Sequence, residues 1–506
     1  MDESHARQRI RHDAGQVCRA VQPNFAMNRP AAFTLAGLLL AAAAAFAGES
    51  ATPARALPKV RVSPDGRGFV TNEGQPFVPF GVNYFRPGTG WAPQVWKQFD
   101  AEATRGDFAR LRELGGNCVR VFLTFGSFYL EPGRLAEEGL AKFDQFLALA
   151  EEAGLYVHPT GPDHWEGLPE WARGDRIAEE RVLQALEEFW KLLATRYRDR
   201  NVIFAYDLLN EPEVRWDTPA MKVRWNAWLQ TQYSVAAKVR EAWGTPERPV
   251  ALGEVPVPAR DAPPGRELLD FQRCREAVAD EWTRRQAMAI KSADPQALVT
   301  VGLIQWSVPV GIAGAWHYAG FRPERQAPWL DFLEVHFYPL AVGFYEYRNE
   351  EDELRNLAYL DCVVREVARS GKPVVLAEFG WYGGGKPTIN SGRHPFASEE
   401  QQARWCRRVV ETTAGSVCGW LNWGLYDHPG ARDVTEFIGL LTADGREKAW
   451  AREFQALARR FTTGIPARIA PANAPALDWD RLLVDTAARD AFRARYFDWY
   501  RQLSPR

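Results

Sequence analysis

Two carboxylates stand where apolar runs end. Val202 to Leu209 delivers Asn210-Glu211-Pro212, and Pro373-Val-Val-Leu-Ala delivers Glu378-Phe379-Gly380. A carboxyl group in such a place is costly to bury unless it is used. Two of them sharing one dry pocket push their pKa values apart, so one keeps its proton while the other, beside a cation, stays ionised. That pairing suits proton transfer combined with nucleophilic attack. Arg120, within Asn-Cys-Val-Arg-Val, is the candidate cation. His336 and Tyr338 lie in His-Phe-Tyr-Pro, and Trp420 and Trp423 in Gly-Trp-Leu-Asn-Trp-Gly, each closing another apolar run. Asp207, four residues before Glu211, is expected deeper and structural, and Glu213 is expected in the following loop.

The elements that must position these residues alternate. Apolar runs predict strands at Phe77–Asn83, Asn117–Leu123, Gly154–Pro159, Val202–Leu209, Leu298–Gln305, Phe332–Tyr338, Pro373–Glu378 and Cys418–Gly424. Helical periodicity predicts helices at Val95–Leu114, Glu137–Ala153, Glu179–Tyr197, Glu351–Ser370, Ser398–Thr413 and Glu447–Phe461. Strands alternating with helices imply parallel βαβ units, and this number of units closes a (β/α)8 TIM barrel, whose strand ends build the active site. The region after the fifth strand, Ser307 to Pro328, is rich in Gly, Pro and Trp and is expected to be mostly loop. Residues 213–297 read as a long insert after strand four, with helical patterns at Ala220–Trp243 and Leu268–Ala293. The catalytic domain is expected over 68–461. A Pro/Ala linker and a C-terminal helical extension are expected over 462–506.

Composition narrows the function classes. Hydrophobic residues make up 46% and charged residues 25%, an ordinary globular balance, and a net charge of −2 offers no field for nucleic acid. Twenty Trp residues supply flat faces for core packing and for stacking on sugar rings. Six Cys at scattered spacings are not a disulfide framework and read as buried thiols, and the few His form no zinc-type cluster. Met27-Asn28-Arg29, an apolar run to Phe46 and Ala45-Phe46-Ala47 form a signal-peptide pattern over 27–47. Residues 1–26 then precede the expected start codon, and 48–67 are linker and lead-in. The expected location is secreted or periplasmic, with no integral membrane span after signal removal.

The chain resembles a clan A glycoside hydrolase of the cellulase/mannanase type, family five. Asn-Glu-Pro closing strand four and Glu-Phe-Gly closing strand seven carry the resemblance, with Arg120, His336, Tyr338 and Trp423 on the matching strands. It spans about residues 68–460. The resemblance implies a retaining enzyme with no cofactor, acting on β-linked polysaccharide or oligosaccharide such as mannan or glucan. Glu211 would be the acid/base and Glu378 the nucleophile, about 5–5.5 Å apart. Asn210 would bind the sugar 2-OH, Arg120 and Tyr338 would orient Glu378, His336 would tune Glu211, and Trp423 would be the sugar platform. Arg120 has the alternative reading of a structural ion pair, and His336 that of a core imidazole. The family commonly places a His at the end of strand three; His158 comes too early here, and His164, in Asp163-His164-Trp165, is the substrate-site candidate. Asn83, Trp306 and Trp381, at or past other strand ends, are further cleft candidates. Alternatives are a β-galactosidase-like exo-glycosidase, suggested by the Trp225, Trp228, Tyr233 and Trp243 pattern, a transglycosidase, and a non-catalytic carbohydrate-binding barrel.

Overall fold

The computed structural model describes residues 56–89, 92–341, 343–388, 394–431, 433–464 and 473–503. The expected upstream start and signal peptide, and residues 465–472 of the Pro/Ala linker, lie outside the described residues.

Eight parallel strands close a barrel: β4 (Phe80–Asn83), β5 (Cys118–Thr124), β6 (Tyr156–Asp163), β7 (Tyr206–Asn210), β8 (Val299–Leu303), β9 (Leu333–Phe337), β10 (Val374–Phe379) and β11 (Trp420–Asn422), with β11 pairing back onto β4. Nearly every residue of these strands is buried, because side chains face either the packed interior or the surrounding helices. This is why the strands were visible as apolar runs.

A smaller sheet precedes the barrel: β1 (Val60–Val62), β2 (Phe69–Thr71) and β3 (Pro76–Phe77), all antiparallel. The expected first strand, Phe77–Asn83, therefore divides, with Phe77 in the small sheet and Phe80 in the barrel. Pro79 lies between them and has no N–H to give to a ladder. The small sheet covers the end of the barrel where the strands begin. Phe69 meets Phe204 and Phe332 edge-on at 5.0 and 5.1 Å, and Phe77 meets Tyr156 at 4.7 Å.

The helices of the ring are α1 (Ala101–Glu113), with the short α2 (Phe125–Phe128) after β5, then α3 (Glu137–Ala153) and α4 (Glu180–Tyr197). The long connection after β7 holds α5 (Pro219–Tyr233), α6 (Ala236–Trp243) and α7 (Arg266–Ala293). The helix expected over 220–243 is thus two, broken at Ser234, where φ is 63°. Trp225 stacks between Trp228 and Trp243 at 5.7 and 6.2 Å, so these rings pack on one another. α7 lies along α4, in the place of the barrel's own helix after the fourth strand. Residues 213–265 alone stand outside the alternation, a smaller elaboration than the expected 213–297.

After β8 comes only the short α8 (Pro323–Gln326), followed later by α9 (Glu350–Ala368), α10 (Glu399–Thr413) and α11 (Ala449–Phe461). Ser398 and Gln401 form a reciprocal capping box that starts α10. The C-terminal α12 (Trp479–Val484) packs on α7 and α13 (Thr486–Leu503) on α9. The extension therefore covers flanks that a full-length helix after β8 would otherwise occupy. All five cysteines in the described residues are buried and unpaired. Among the described residues no helix is long and apolar enough to cross a membrane.

Candidate active site

Strand register sets the site. It pairs Asn83 with Arg120, Thr160 with Asp207 and Glu378 with His336. Polar side chains of neighbouring strands therefore meet inside the barrel. Arg120 is fully buried and is their hub. Its Nη1 donates to Glu378 Oε1 at 2.6 Å and to Asn83 Oδ1 at 2.8 Å. Its Nη2 donates to Asp207 at 2.7 Å and to Asn210 Oδ1 at 2.9 Å, and its Nε reaches Asp207 at 3.2 Å. Burial, which would lower this guanidinium, is outweighed by Asp207 and Glu378, so Arg120 holds its charge more firmly than a free arginine.

Glu378 ends β10 and is 3% exposed. Beside the Arg120 contact, the Tyr338 hydroxyl donates to its other oxygen at 3.1 Å. Burial raises the Glu378 carboxyl above its ordinary range, opposed by His336 and Arg120. Glu211 follows β7 with φ at 47°, a left-handed conformation that costs a residue with a side chain about 1–3 kcal/mol. Its N–H is held by Gly302 O at 2.9 Å, and Pro212 turns the chain outward. Its side chain reaches the barrel mouth, 26% exposed, with no direct hydrogen bond from a cation. Burial pushes its carboxyl up to about 7. One oxygen of each glutamate and a ring nitrogen of His336 lie within 4.8 Å of one another. His336 Nδ1 sits 3.1 Å from Glu211 and 3.5 Å from Glu378, and burial lowers its pKa.

The two acids are thus placed unequally. Glu378 receives direct hydrogen bonds from Arg120 and Tyr338, whereas Glu211 receives none from either. Of the pair, Glu378 loses its proton first and Glu211 keeps one near neutral pH. Glu211, His336 and Glu378 have a spacing that could also hold a cation, as do His158, Asp207 and Glu334 deeper in the barrel. The buried guanidinium against Asp207 and Glu378 opposes a second positive charge in either place.

Two cavities open on this pair. The first, about 250 Å³, is lined by Glu211, Glu378, Tyr338, Trp423, Trp381 and Trp165, with Phe344 and Asp433 to Thr435. The second, about 500 Å³, shares Asn210 and Glu211 and extends over His164, Arg176, Arg215, Arg260 and Trp316. Trp423 is held by its Nε1 on Thr435 at 3.0 Å, and Trp381 by its Nε1 on Tyr345 O at 2.8 Å. His164 lines the second cavity, stacked on Trp165 at 4.6 Å.

Two cleft candidates lie elsewhere. Asn83 is enclosed in the barrel, accepting from Arg120 and donating to Ala377 O at 2.8 Å, so it positions the guanidinium and faces neither cavity. Trp306 lines neither cavity; it donates to Glu213 at 2.5 Å and packs on His317, both of which line the second. Asp207 accepts from Arg120, Thr160 and the Gly302 amide, a structural cradle as expected. His158 sits low in the barrel against Glu334 and Ala205 O. Asp433 to Thr435 and the arginines of the second cavity were missed: Arg176, Arg215 and Arg260 stand in loops and Asp433 to Thr435 in a single short turn, with no periodicity to mark them, and Arg275 reads as one more polar residue of a helix.

Comparison with known proteins agrees with this geometry. A model of cellulase (glycosyl hydrolase family 5) matches residues 70–256, and one of β-galactosidase (family 42) matches residues 172–380. The chain is 23% identical over 346 residues to a probable mannan endo-1,4-β-mannosidase A from Aspergillus flavus, covering 62% of this chain and 74% of that one. A GH5_18 protein from Streptomyces cattleya in complex with Manβ1-4GlcNAc superposes with a TM-score of 0.57 at 20% identity, over 84% of this chain and 92% of that one. A β-galactosidase from Halorubrum lacusprofundi gives a TM-score of 0.64 at 17% identity, over 83% of this chain and 64% of that one. With the closed parallel barrel and a glutamate at the ends of its fourth and seventh strands, the chain is a glycosidase similar to glycoside hydrolases of the family-five type.

Proposed function

We propose that the protein is a retaining glycosidase acting on β-linked mannose- or glucose-type glycans. The observation that carries this reading is the approach of the two carboxylates, with oxygens within 4.8 Å of each other. Inverting enzymes keep such groups roughly 6.5–9.5 Å apart to admit a water, whereas retaining ones hold them at about 5–5.5 Å. Glu378, ionised beside Arg120, attacks the anomeric carbon while Glu211 gives its proton to the departing glycosidic oxygen. The sugar is then held as an ester of Glu378. Glu211, now a carboxylate, takes a proton from water, whose oxygen attacks the anomeric carbon and frees Glu378. Asn210 accepts from Arg120 through its Oδ1 and lines the cavity, which leaves its amide N–H2 as a donor for the sugar 2-OH. Trp423 offers its face to the ring at the cleaved bond.

The mannanase relatives and the Manβ1-4GlcNAc complex favour a mannose-type glycone. The β-galactosidase match over 172–380 keeps an exo-acting galactosidase as the second reading. Export by the signal at 27–47 belongs to the same reading, supported by its basic start, apolar run and small-residue site; N-terminal sequencing of protein recovered outside the cytoplasm tests it. A panel of aryl β-mannosides, β-glucosides and β-galactosides identifies the glycone. Glu211→Ala should then lose most activity on poor leaving groups yet still release dinitrophenol, which needs no proton. Glu378→Ala should cleave neither. Equal loss on both leaving groups in Glu211→Ala would remove it as the acid.

A further inference from the structure

The second cavity has a charge pattern that a neutral sugar does not require. Four arginines line it, Arg176, Arg215, Arg260 and Arg275, and none is ion-paired among the described residues. Nearby arginines behave differently: Arg285 pairs with Glu180 and Glu187, and Arg224 with Glu281. Arg176 has a buried Nη1 without any partner, and its Nη2 reaches only His164 Nδ1 at 3.5 Å. Arg275 is 2% exposed and donates only to neutral acceptors, Val214 O and Gln272 Oε1. Burial pulls Arg275 down to about 10, against the opposing pull of Tyr318, Glu213 and Glu276, none of which is ion-paired with it. Arg260 lies over the Trp316 ring at 5.7 Å, and Arg215 reaches Gly174 O at 3.5 Å.

The acids of this cavity are already engaged. Asp175 accepts from the Ile177 and Ala178 amides and from the Thr218 hydroxyl. Asp217 pairs with Lys222, and Glu213 accepts from Trp306. A guanidinium withdrawn from water without a counter-charge is costly, and an incoming carboxylate, sulfate or phosphate recovers that cost through paired hydrogen bonds.

The cavity also has a direction. It shares Glu211 with the first cavity and lacks Glu378. Under the proposed roles the proton donor faces the departing oxygen, so this cavity receives the leaving group. We propose that the leaving group is an acidic sugar, whose carboxylate, sulfate or phosphate substituent is bound by Arg176 and Arg260 with Arg215 at the rim. This inference rests on the acid role of Glu211, and it makes the second cavity a selector of the leaving group.

The test uses disaccharides that share the glycone found on the aryl panel and differ at the reducing end: glucose, glucuronate, glucose 6-sulfate or glucose 6-phosphate. At low ionic strength, one acidic series should show kcat/KM about tenfold or more above the neutral compound. Which series does so identifies the anion. Arg260→Ala, at an exposed position, and Arg176→Gln should each bring that ratio down to about twofold or less, mainly through KM. Ratios within about twofold for all acidic compounds in the unmodified enzyme would overturn the inference while leaving the glycosidase reading intact. If no glycoside is turned over, the glycosidase reading fails instead. Calorimetric titration with glucuronate, sulfate and phosphate against chloride then decides the pocket alone. Anion binding lost in Arg260→Ala upholds it, and equal heats for every salt overturn it.

Discussion

The two ends of the barrel enclose side chains of similar bulk with opposite chemistry. At the end where the strands begin, Phe69, Phe77, Tyr156, Phe204 and Phe332 pack edge to face beneath a three-stranded sheet. At the end where they finish, Arg120, Asp207, Glu378 and His336 are equally buried and held by polar contacts with one another and with Asn83, Thr160 and Tyr338. The aromatic floor gains stability from every contact. The charged mouth gains little net stability, since desolvation offsets its ion pairs. Between the ends lies a transitional layer, His158 against Glu334, where Glu334 outweighs the burial that would lower the imidazole. The barrel thus separates the part that holds the fold from the part that holds a reactive arrangement in place. Glu211, with its left-handed φ and raised carboxyl, lies wholly in the second part.

Substitutions at the two ends should separate stability from turnover. Arg120→Met has the largest expected effect, because it leaves Asp207 and Glu378 buried without their cation. Turnover should fall by about 10²–10³-fold, and unfolding free energy by about 3–5 kcal/mol, read from denaturant curves. Near-normal activity in this variant would break the distinction. Phe204→Ala should cost about 3–5 kcal/mol as well, yet leave kcat at 25 °C within about twofold of the parent. A fall in kcat that tracks the fall in stability would show that the floor is coupled to the mouth.

Next in size is the pH profile. Glu211 must carry a proton and its carboxyl is pushed up to about 7, so kcat/KM should decline about tenfold per pH unit above that value. On the acid side the rate falls as Glu378 takes up a proton. A rate that is flat from pH 6 to 9 would exclude Glu211 as the acid. The smallest effect concerns stability. The folded pKa of Glu211 is raised from 4.5 to about 7, so its burial is without penalty below 4.5 and increasingly unfavourable as pH rises toward 7. Glu211→Gln should therefore match the parent near pH 4.5 and exceed it by about 1–3 kcal/mol at pH 8, allowing for partial exposure. Thermal melts at the two pH values check the sign.

Much of the fold was legible along the chain. Strands walled on both faces read as continuous apolar runs, and the ring helices read by their periodicity. The small sheet was not legible, because strands of two and three residues carry no pattern. Nor was the identity of α7 as a ring helix, since only its packing on α4 separates it from an insert. Site residues divide in the same way. Glu211, Glu378, Arg120, His336 and Tyr338 stood out because carboxylates and cations are conspicuous at the ends of apolar runs. Asn83 and Trp306 have the right chemical types at strand ends, yet one turns into the barrel and the other donates to Glu213 and lines neither cavity.

The sequence by itself determined the staves, their order and the two glutamates that end the fourth and seventh. These are local properties, set by hydrophobic period and by residue type within a few positions. Only the tertiary structure decided that Glu211 and Glu378 come within 4.8 Å, that one guanidinium serves Glu378 and Asp207 together, and that arginines from separate loops and from α7 line one cavity. The closure of the barrel fixes those distances, and it depends on how every strand registers with its neighbours.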